Sequence, residues 1–258
     1  MITKKDIANF LKSINVKPTD TVLIHTSFKS IGGVENGCDG FLDGFIEYLT
    51  DGLFIVPTHT WANVNRDNPV FDVKTTKPCI GAVPTTAAFR KDMVRSLHPT
   101  HSIAVYGKRA NEYILGEETS QTPCPKNGAW DRLYQENAKV LLIGVTLNRN
   151  TYMHTFDESF NLPNRFDKPF EITSIDYNGK KCTHIFYPHL GTGSEFFVNY
   201  RPVLEKNGAL TYAKLGNATV EIFDVQKGTK AITHVLNKAT YDVCADFSVI
   251  PTEYYNDL

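Results

Sequence analysis

Two short apolar runs, TVLI at Thr21 to Ile24 and LFIVP at Leu53 to Pro57, bracket a glycine-bearing loop and an amphipathic stretch. In that stretch Phe41, Leu42, Phe45, Ile46 and Leu49 fall on one helical face. Strand, loop, helix and strand in this order form a βαβ unit, which forces the two strands to run parallel. A parallel pair must be covered on both faces. The arrangement predicts an α/β fold, a layered α/β/α architecture around a mixed, partly parallel sheet.

The rest of the chain extends this frame. Ile7, Phe10, Leu11 and Ile14 repeat at helical spacing behind Thr3 and Asp6, a capping-box pair, so a helix opens the chain. Residues 59–82 show no period and many polar side chains, which predicts an extended excursion over the surface. A short helix is expected near Thr85 to Arg90, and KVLLI at Lys139 to Ile143 reads as a further buried strand. Gly144 and a polar loop then lead into a helix near Asn150 or Thr151. Later, Phe170 to Asp176 and Lys181 to Tyr187 flank Asn178-Gly179, a hairpin signal that predicts a C-terminal hairpin elaboration. A helix at Ser194 to Glu205, a strand at Thr219 to Phe223 and a helix at Lys230 to Lys238 complete the expectation. With no repeat or linker, residues 1–258 read as one domain.

Composition narrows the function. The net charge of −1 argues against a nucleic-acid binder, which carries a basic face. No run approaches the roughly 20 apolar residues of a membrane span. Five widely spaced cysteines without a CxxC pair disfavour a zinc site or a disulfide framework. These features predict a soluble cytoplasmic protein, and a homo-oligomer is compatible with them.

Three segments carry chemistry. After the first strand, His25 to Gly37 holds Gly32, Gly33 and Gly37 ahead of a helix N-terminus, an arrangement suited to a pyrophosphate or simply to turning the chain. It matches neither the dinucleotide fingerprint nor the P-loop. In RSLHPTHS, His98 and His101 with Thr100 and Ser102 suit metal ligation, acid–base work or a polar cofactor loop. A turn fixed by Pro99 fits equally well. A metal would need a third ligand, for which His59 is the local candidate. Finally, Thr151, His154, Asp157 and Glu158 share one helical face, where a carboxylate can fix an imidazole tautomer and leave its other nitrogen for substrate. The bland alternative is a first helical turn enriched in acids to suit the helix dipole.

Taken in order, the motifs resemble the aminoglycoside 3-N-acetyltransferase family. They are HTSFKSIGGVENGCD, IVPTHTW, GAVPTTAAFR, RSLHPTHSI, TPC with a downstream RL, LLIGVTLNRNTYMHTFDE and Pro163-Asn164-Arg165, spanning about residues 20–166. The resemblance implies transfer of an acetyl group from acetyl-CoA to an amine, without a metal, on a fold distinct from the common GNAT enzymes. Carried over by position, His25, Thr26, Ser27, Ser30, Ile31, Gly32, Gly33 and Val34 line the coenzyme channel. So do His98, Thr100, His101 and Ser102. His154 is the general base, with Thr151 beside it, Asp157 at the acidic position and Glu158 adjacent. His59, Trp61 and Asp72 fall on the acceptor side. The sequence departs from the pattern at Asn36, at Pro125 to Ala129 and at His59.

The implied acceptor is a small-molecule amine, either an aminoglycoside, which would make the enzyme an antibiotic-resistance factor, or a related amino sugar. A polycationic antibiotic suits an acidic pocket, for which Asp67, Asp72, Asp157 and Glu158 are the available acids. A nucleotide-linked amino sugar of polysaccharide biosynthesis is the alternative within acyl transfer. Metal-dependent hydrolysis by His59, His98 and His101 is the alternative from another class, and a Cys124 acyl-enzyme is the rival mechanism.

Overall fold

The computed structural model describes residues 1–191, 193–239 and 241–258. Three parallel strands form its centre: β1 (Thr21–Thr26) lies between β2 (Leu53–Pro57) and β6 (Lys139–Ile143). Antiparallel strands extend the sheet on both sides. Beyond β2 lie β5 (Ile103–Tyr106) and β4 (Val94–Arg95); beyond β6 lie β10 (Ala218–Asp224) and β9 (Leu210–Leu215). The order is β4-β5-β2-β1-β6-β10-β9, a mixed sheet with a parallel heart as the βαβ pattern implied.

Side chains alternate between two cores, as a pleated strand requires. Val22, Ile24, Phe54, Val56, Leu141 and Ile143 meet the helices Lys4–Ser13, Gly37–Tyr48 and Ala82–Phe89 on one face. Leu23, Leu53, Ile55, Val140 and Leu142 meet the other face, covered by Arg201–Lys206 and Val225–Lys238. The first helix carries the expected capping box, with Thr3 and Asp6 each bonding the other's backbone N–H. The segment from Ser194 is a 3-10 helix to Tyr200 before it becomes α-helical, so the single helix expected there is two.

The hairpin forms as β7 (Phe170–Ile175) and β8 (Lys181–Phe186), with Gly179 at φ 82° in its turn. Its setting was not foreseen. The polar excursion contributes a strand, β3 (Val70–Asp72), which pairs parallel with β7 to make a second, three-stranded sheet. Val64, Phe71, Val73, Ile172 and Phe186 form a small core beneath it. Buried Arg95 ties the excursion to the main sheet, donating to Thr58 O at 3.1 Å and Thr76 O at 2.6 Å. Among the described residues no helix is long and apolar enough to cross a membrane.

Candidate active site

The carboxyl ends of β1, β2 and β6 open side by side, the place where open α/β sheets bind ligands. A cavity of about 810 Å³ lies there, lined also by Phe170 and Phe186 of the second sheet and by Pro188, His189, Gly191, Ser194 and Phe197. That size falls in the range of small-molecule and cofactor sites. Its wall is drawn from residues far apart in sequence: His25, Thr26 and Ser27 end β1, His59 and Trp61 follow β2, and Asn148 to Thr151 and His154 follow β6.

Register explains why these groups converge. His25 stands opposite Leu142 and Thr26 opposite Ile143, so the β1 and β6 loops leave the sheet at one level. Gly144 then turns at φ 67°, and a Cβ there would lie 1.7 Å from Ser30 Oγ; no larger residue lets the two loops approach this closely. The backbone N–H of Thr151 points at His25 Nε2 at 3.4 Å, which fixes the start of the following segment. A 3-10 turn over Thr151–Met153 leads into the short helix His154–Ser159.

That helix presents an imidazole–carboxylate pair. His154 Nδ1 lies 2.7 Å from Asp157 Oδ2. With the ionised carboxylate as acceptor, Nδ1 carries the proton and Nε2 presents a lone pair. Asp157 is in turn held by Arg165 Nε at 3.2 Å, and Arg165 reaches Asp242 at 2.9 Å. Burial alone would raise the Asp157 carboxyl, but the His154 hydrogen bond and the His154 and Arg165 charges outweigh it and hold it below its ordinary value. Asp157 lies behind the ring and off the cavity wall, an orienting position.

Glu158 points elsewhere. It accepts from Thr122 Oγ1 at 2.5 Å, from the Cys124 N–H at 2.7 Å and from His189 Nε2 at 2.9 Å. It anchors the Thr122 to Cys124 loop and a second ring, His189, whose centroid is 4.6 Å from that of His154. Desolvation lowers the His189 pKa, against the pull of Glu158. Neither His189 nor the Arg165–Asp242 link was singled out for a site role from the sequence. Pro163-Asn164-Arg165 was a visible signal for Arg165; His189 sits in an irregular stretch with none.

The segments expected to line a coenzyme channel divide. His25, Thr26, Ser27, Thr100 and His101 do face the cavity. Ser30, Ile31, Gly32, Gly33 and Val34 do not. Ser30 bonds back to Ser27 O, Ile31 sits in the core, and the backbone of Ile31 and Gly33 binds Asn217 and Ile2. This half of the loop is committed to the β9–β10 turn and the chain's first residues, so the helix N-terminus behind it lies off the site.

His98 and Ser102 are likewise structural. His98 Nδ1 accepts the backbone N–H groups of Thr100 at 3.2 Å and His101 at 2.9 Å, while Nε2 donates to Thr122 O at 3.0 Å. Both nitrogens are spent holding the HPTHS turn, and burial pushes its pKa down to about 4. Ser102 bonds Thr58 behind the wall. A metal triad of His59, His98 and His101 therefore has no free nitrogen on His98, and no group of three His, Cys, Asp or Glu among the described residues is arranged to hold a metal. Asp72 also lies off the cavity, its carboxylate capping the Lys74 N–H. His59 and Trp61 are in place on the opposite side from β6.

Three of the five buried polar atoms left without a partner among the described residues, Thr26 Oγ1, His59 Nε2 and Asn150 Nδ2, belong to residues on this cavity's wall. Such atoms are costly unless a ligand or water satisfies them, so they mark the binding surface. Cys124 is fully buried against Thr151 O. Desolvation and the nearby Glu158 and Asp157 charges push its thiol well up, which suits no nucleophile.

The sequence profile described as aminoglycoside 3-N-acetyltransferase matches residues 23–237. The chain is 24% identical over 245 residues to the SPbeta prophage-derived aminoglycoside N(3')-acetyltransferase-like protein YokD of Bacillus subtilis, covering 86% of this chain and 88% of that one. Among solved structures it resembles AAC-IIIb in its binary form with CoASH, at TM-score 0.79 and 15% identity, over 93% and 99% of the two chains. It also resembles aminoglycoside acetyltransferase AAC(3)-IVa in complex with apramycin, at TM-score 0.74 and 20% identity, over 98% and 96%.

Proposed function

Because the chain belongs to the aminoglycoside 3-N-acetyltransferase family, a family of acyl-transferring enzymes, we propose that it moves an acetyl group from acetyl-CoA to an amino group of an aminoglycoside or related amino sugar. The ligands bound by the related structures, CoASH and apramycin, support the two substrate classes. The observation that carries the mechanism is the His154–Asp157 pair, with Nδ1 bonded to the carboxylate and Nε2 left for the cavity.

Acetyl-CoA would lie along His25, Thr26, Ser27, Thr100 and His101 and supply an activated acyl carbon with a thiolate leaving group. The amine must lose a proton as it attacks. His154 Nε2 takes that proton, while Asp157 keeps the ring in the required tautomer and stabilises the imidazolium. The carbonyl oxygen, which gains charge, needs donors. Thr151 is one candidate, and the unpartnered Asn150 Nδ2 is another, since Asn150 Oδ1 is already fixed by the Tyr152 N–H. Attack is direct; the raised Cys124 thiol does not enter.

The test is thiol release from acetyl-CoA with an acceptor panel. His154→Ala should lower kcat by about 10²–10⁴ while coenzyme A still binds. Near-normal turnover by that variant, or an acetylated protein on mixing with acetyl-CoA alone, overturns the mechanism.

A further inference from the structure

The cavity has an unusual charge inventory for a polycation site. Its described wall carries one carboxylate, Asp167, against two guanidinium groups, Arg66 and Arg149. Among the imidazoles on the wall, burial pushes His25 down to about 3 and holds His59 and His101 well below the ordinary value. The other acids nearby are spent. Asp157 is committed to His154 and Arg165, and Glu158 to Thr122, Cys124 and His189. Their negative charge is concentrated behind the two imidazoles, where a single amine would stand.

The two arginines come from different segments, Arg66 from the excursion after β2 and Arg149 from the loop after β6. Arg149 bears on His25, one of the residues along which the coenzyme was placed above. Arg66 donates to Pro169 O at 3.1 Å and Lys168 O at 2.6 Å and stands 5.2 Å over the Phe170 ring. Two of its five donors are so used, which leaves three for a ligand. Trp61, 51% exposed, lines the same cavity. An aromatic ring and a fixed guanidinium lining one cavity suit a sugar ring that carries an anionic group.

We infer that the acceptor is an amino sugar with one reactive amine and an anionic substituent, phosphate being the form that best suits Arg66, and not a polycationic aminoglycoside. The inference rests on the N-acyltransferase reading for the role of the amine, but the charge preference belongs to the cavity alone and is measured without turnover. A polycation would set several ammonium groups against a wall with a net positive charge; complementary charge decides which partner is accepted and which is rejected.

The experiment is calorimetric titration of the full chain, without acyl donor, by glucosamine 6-phosphate, UDP-linked glucosamine, glucosamine and apramycin. Glucosamine 6-phosphate should bind at least tenfold tighter than apramycin. Arg66→Ala should weaken the phosphosugar at least fivefold while leaving glucosamine unchanged, which also shows that the variant is folded. Arg66→Glu should abolish the preference. UDP-linked glucosamine binding more tightly than the monophosphate assigns the anion to a nucleotide; the reverse order assigns it to a simple phosphate ester. Tighter binding of apramycin, binding of none of the four, or indifference to Arg66→Ala overturns the inference. Thiol release from acetyl-CoA with the same acceptors separates the two readings. Release with apramycin preferred removes the charge inference and keeps acyl transfer, whereas the expected binding order without release to any amine does the opposite.

Discussion

Lowering the pH from 7.5 to 5.0 should strip this protein of part of its stability, because burial holds His25, His59, His98 and His101 as neutral rings. His25 is pushed from 6.5 down to about 3 and His98 down to about 4, both chiefly by desolvation, and His59 and His101 are moved in the same direction. Unfolding returns each ring to water and to its ordinary value near 6.5. Below that value the unfolded chain binds protons that the folded chain refuses, so stability is fully present above pH 6.5 and is lost as the pH falls. One proton per ring corresponds to about 1.4 kcal/mol per pH unit, or about 2 kcal/mol per ring by pH 5.0.

His25 and His98 together therefore remove about 4 kcal/mol, and His59 and His101 add to the loss in the same direction. Glu117 works the other way. Burial raises its carboxyl to about 7, so it holds a proton in the fold and regains about 2 kcal/mol over the same interval. A net loss of at least about 2 kcal/mol remains, a large fraction of the stability of an ordinary domain. Asp157, lowered in the fold, adds its own loss only nearer its ordinary value and below. Urea unfolding followed by the fluorescence of buried Trp130 would read the free energy at each pH. His98→Asn, whose amide oxygen can still accept the Thr100 and His101 N–H groups, should reduce the pH dependence by about 2 kcal/mol. A net change under about 2 kcal/mol in the unsubstituted protein would mean that the rings are protonated in the fold and would refute the reasoning.

Asp157→Asn should lower kcat by about 10²–10³ with little change in KM, since it frees the His154 tautomer and leaves Arg165 its second carboxylate, Asp242; steady-state kinetics decide it, and an unchanged kcat would remove Asp157 from its orienting role. Gly144→Ala should destabilise by about 2–4 kcal/mol, from a Cβ driven into Ser30 Oγ at a positive φ, read as a lower urea midpoint at unchanged m. Arg95→Met should cost about 1–3 kcal/mol by leaving Thr76 O without its donor and Thr58 O with Ser102 Oγ alone. The excursion should then become the first segment cut in limited proteolysis.

The frame was legible because it is written in local periodicity. TVLI, the Phe41 to Leu49 helical face, LFIVP and KVLLI are apolar runs long enough to announce buried parallel strands and their covering helix, and Asn178-Gly179 announces its hairpin. The motif order placed His154 and Asp157 on one helical turn, and the fold sets them 2.7 Å apart. Shorter or more polar strands escaped. IAVY lies behind the HPTHS turn, LTYAKL is an edge strand with an exposed face, and VFD is three residues whose partner is β7, a hundred positions later.

By itself, then, the sequence determined a parallel α/β core, the family and an imidazole–carboxylate pair, since each follows from neighbouring residues or a fixed motif order. Only the tertiary structure decided which polar residues face the cavity. It turned Ser30 to Val34 toward the chain's start, spent both nitrogens of His98 on backbone, and gave Glu158 to the Cys124 loop and His189. It also set Arg66 and Arg149 against a single Asp167. A side chain's partners across space compete for its donors and lone pairs, and that competition is settled by packing between elements far apart in the chain, which no local pattern records.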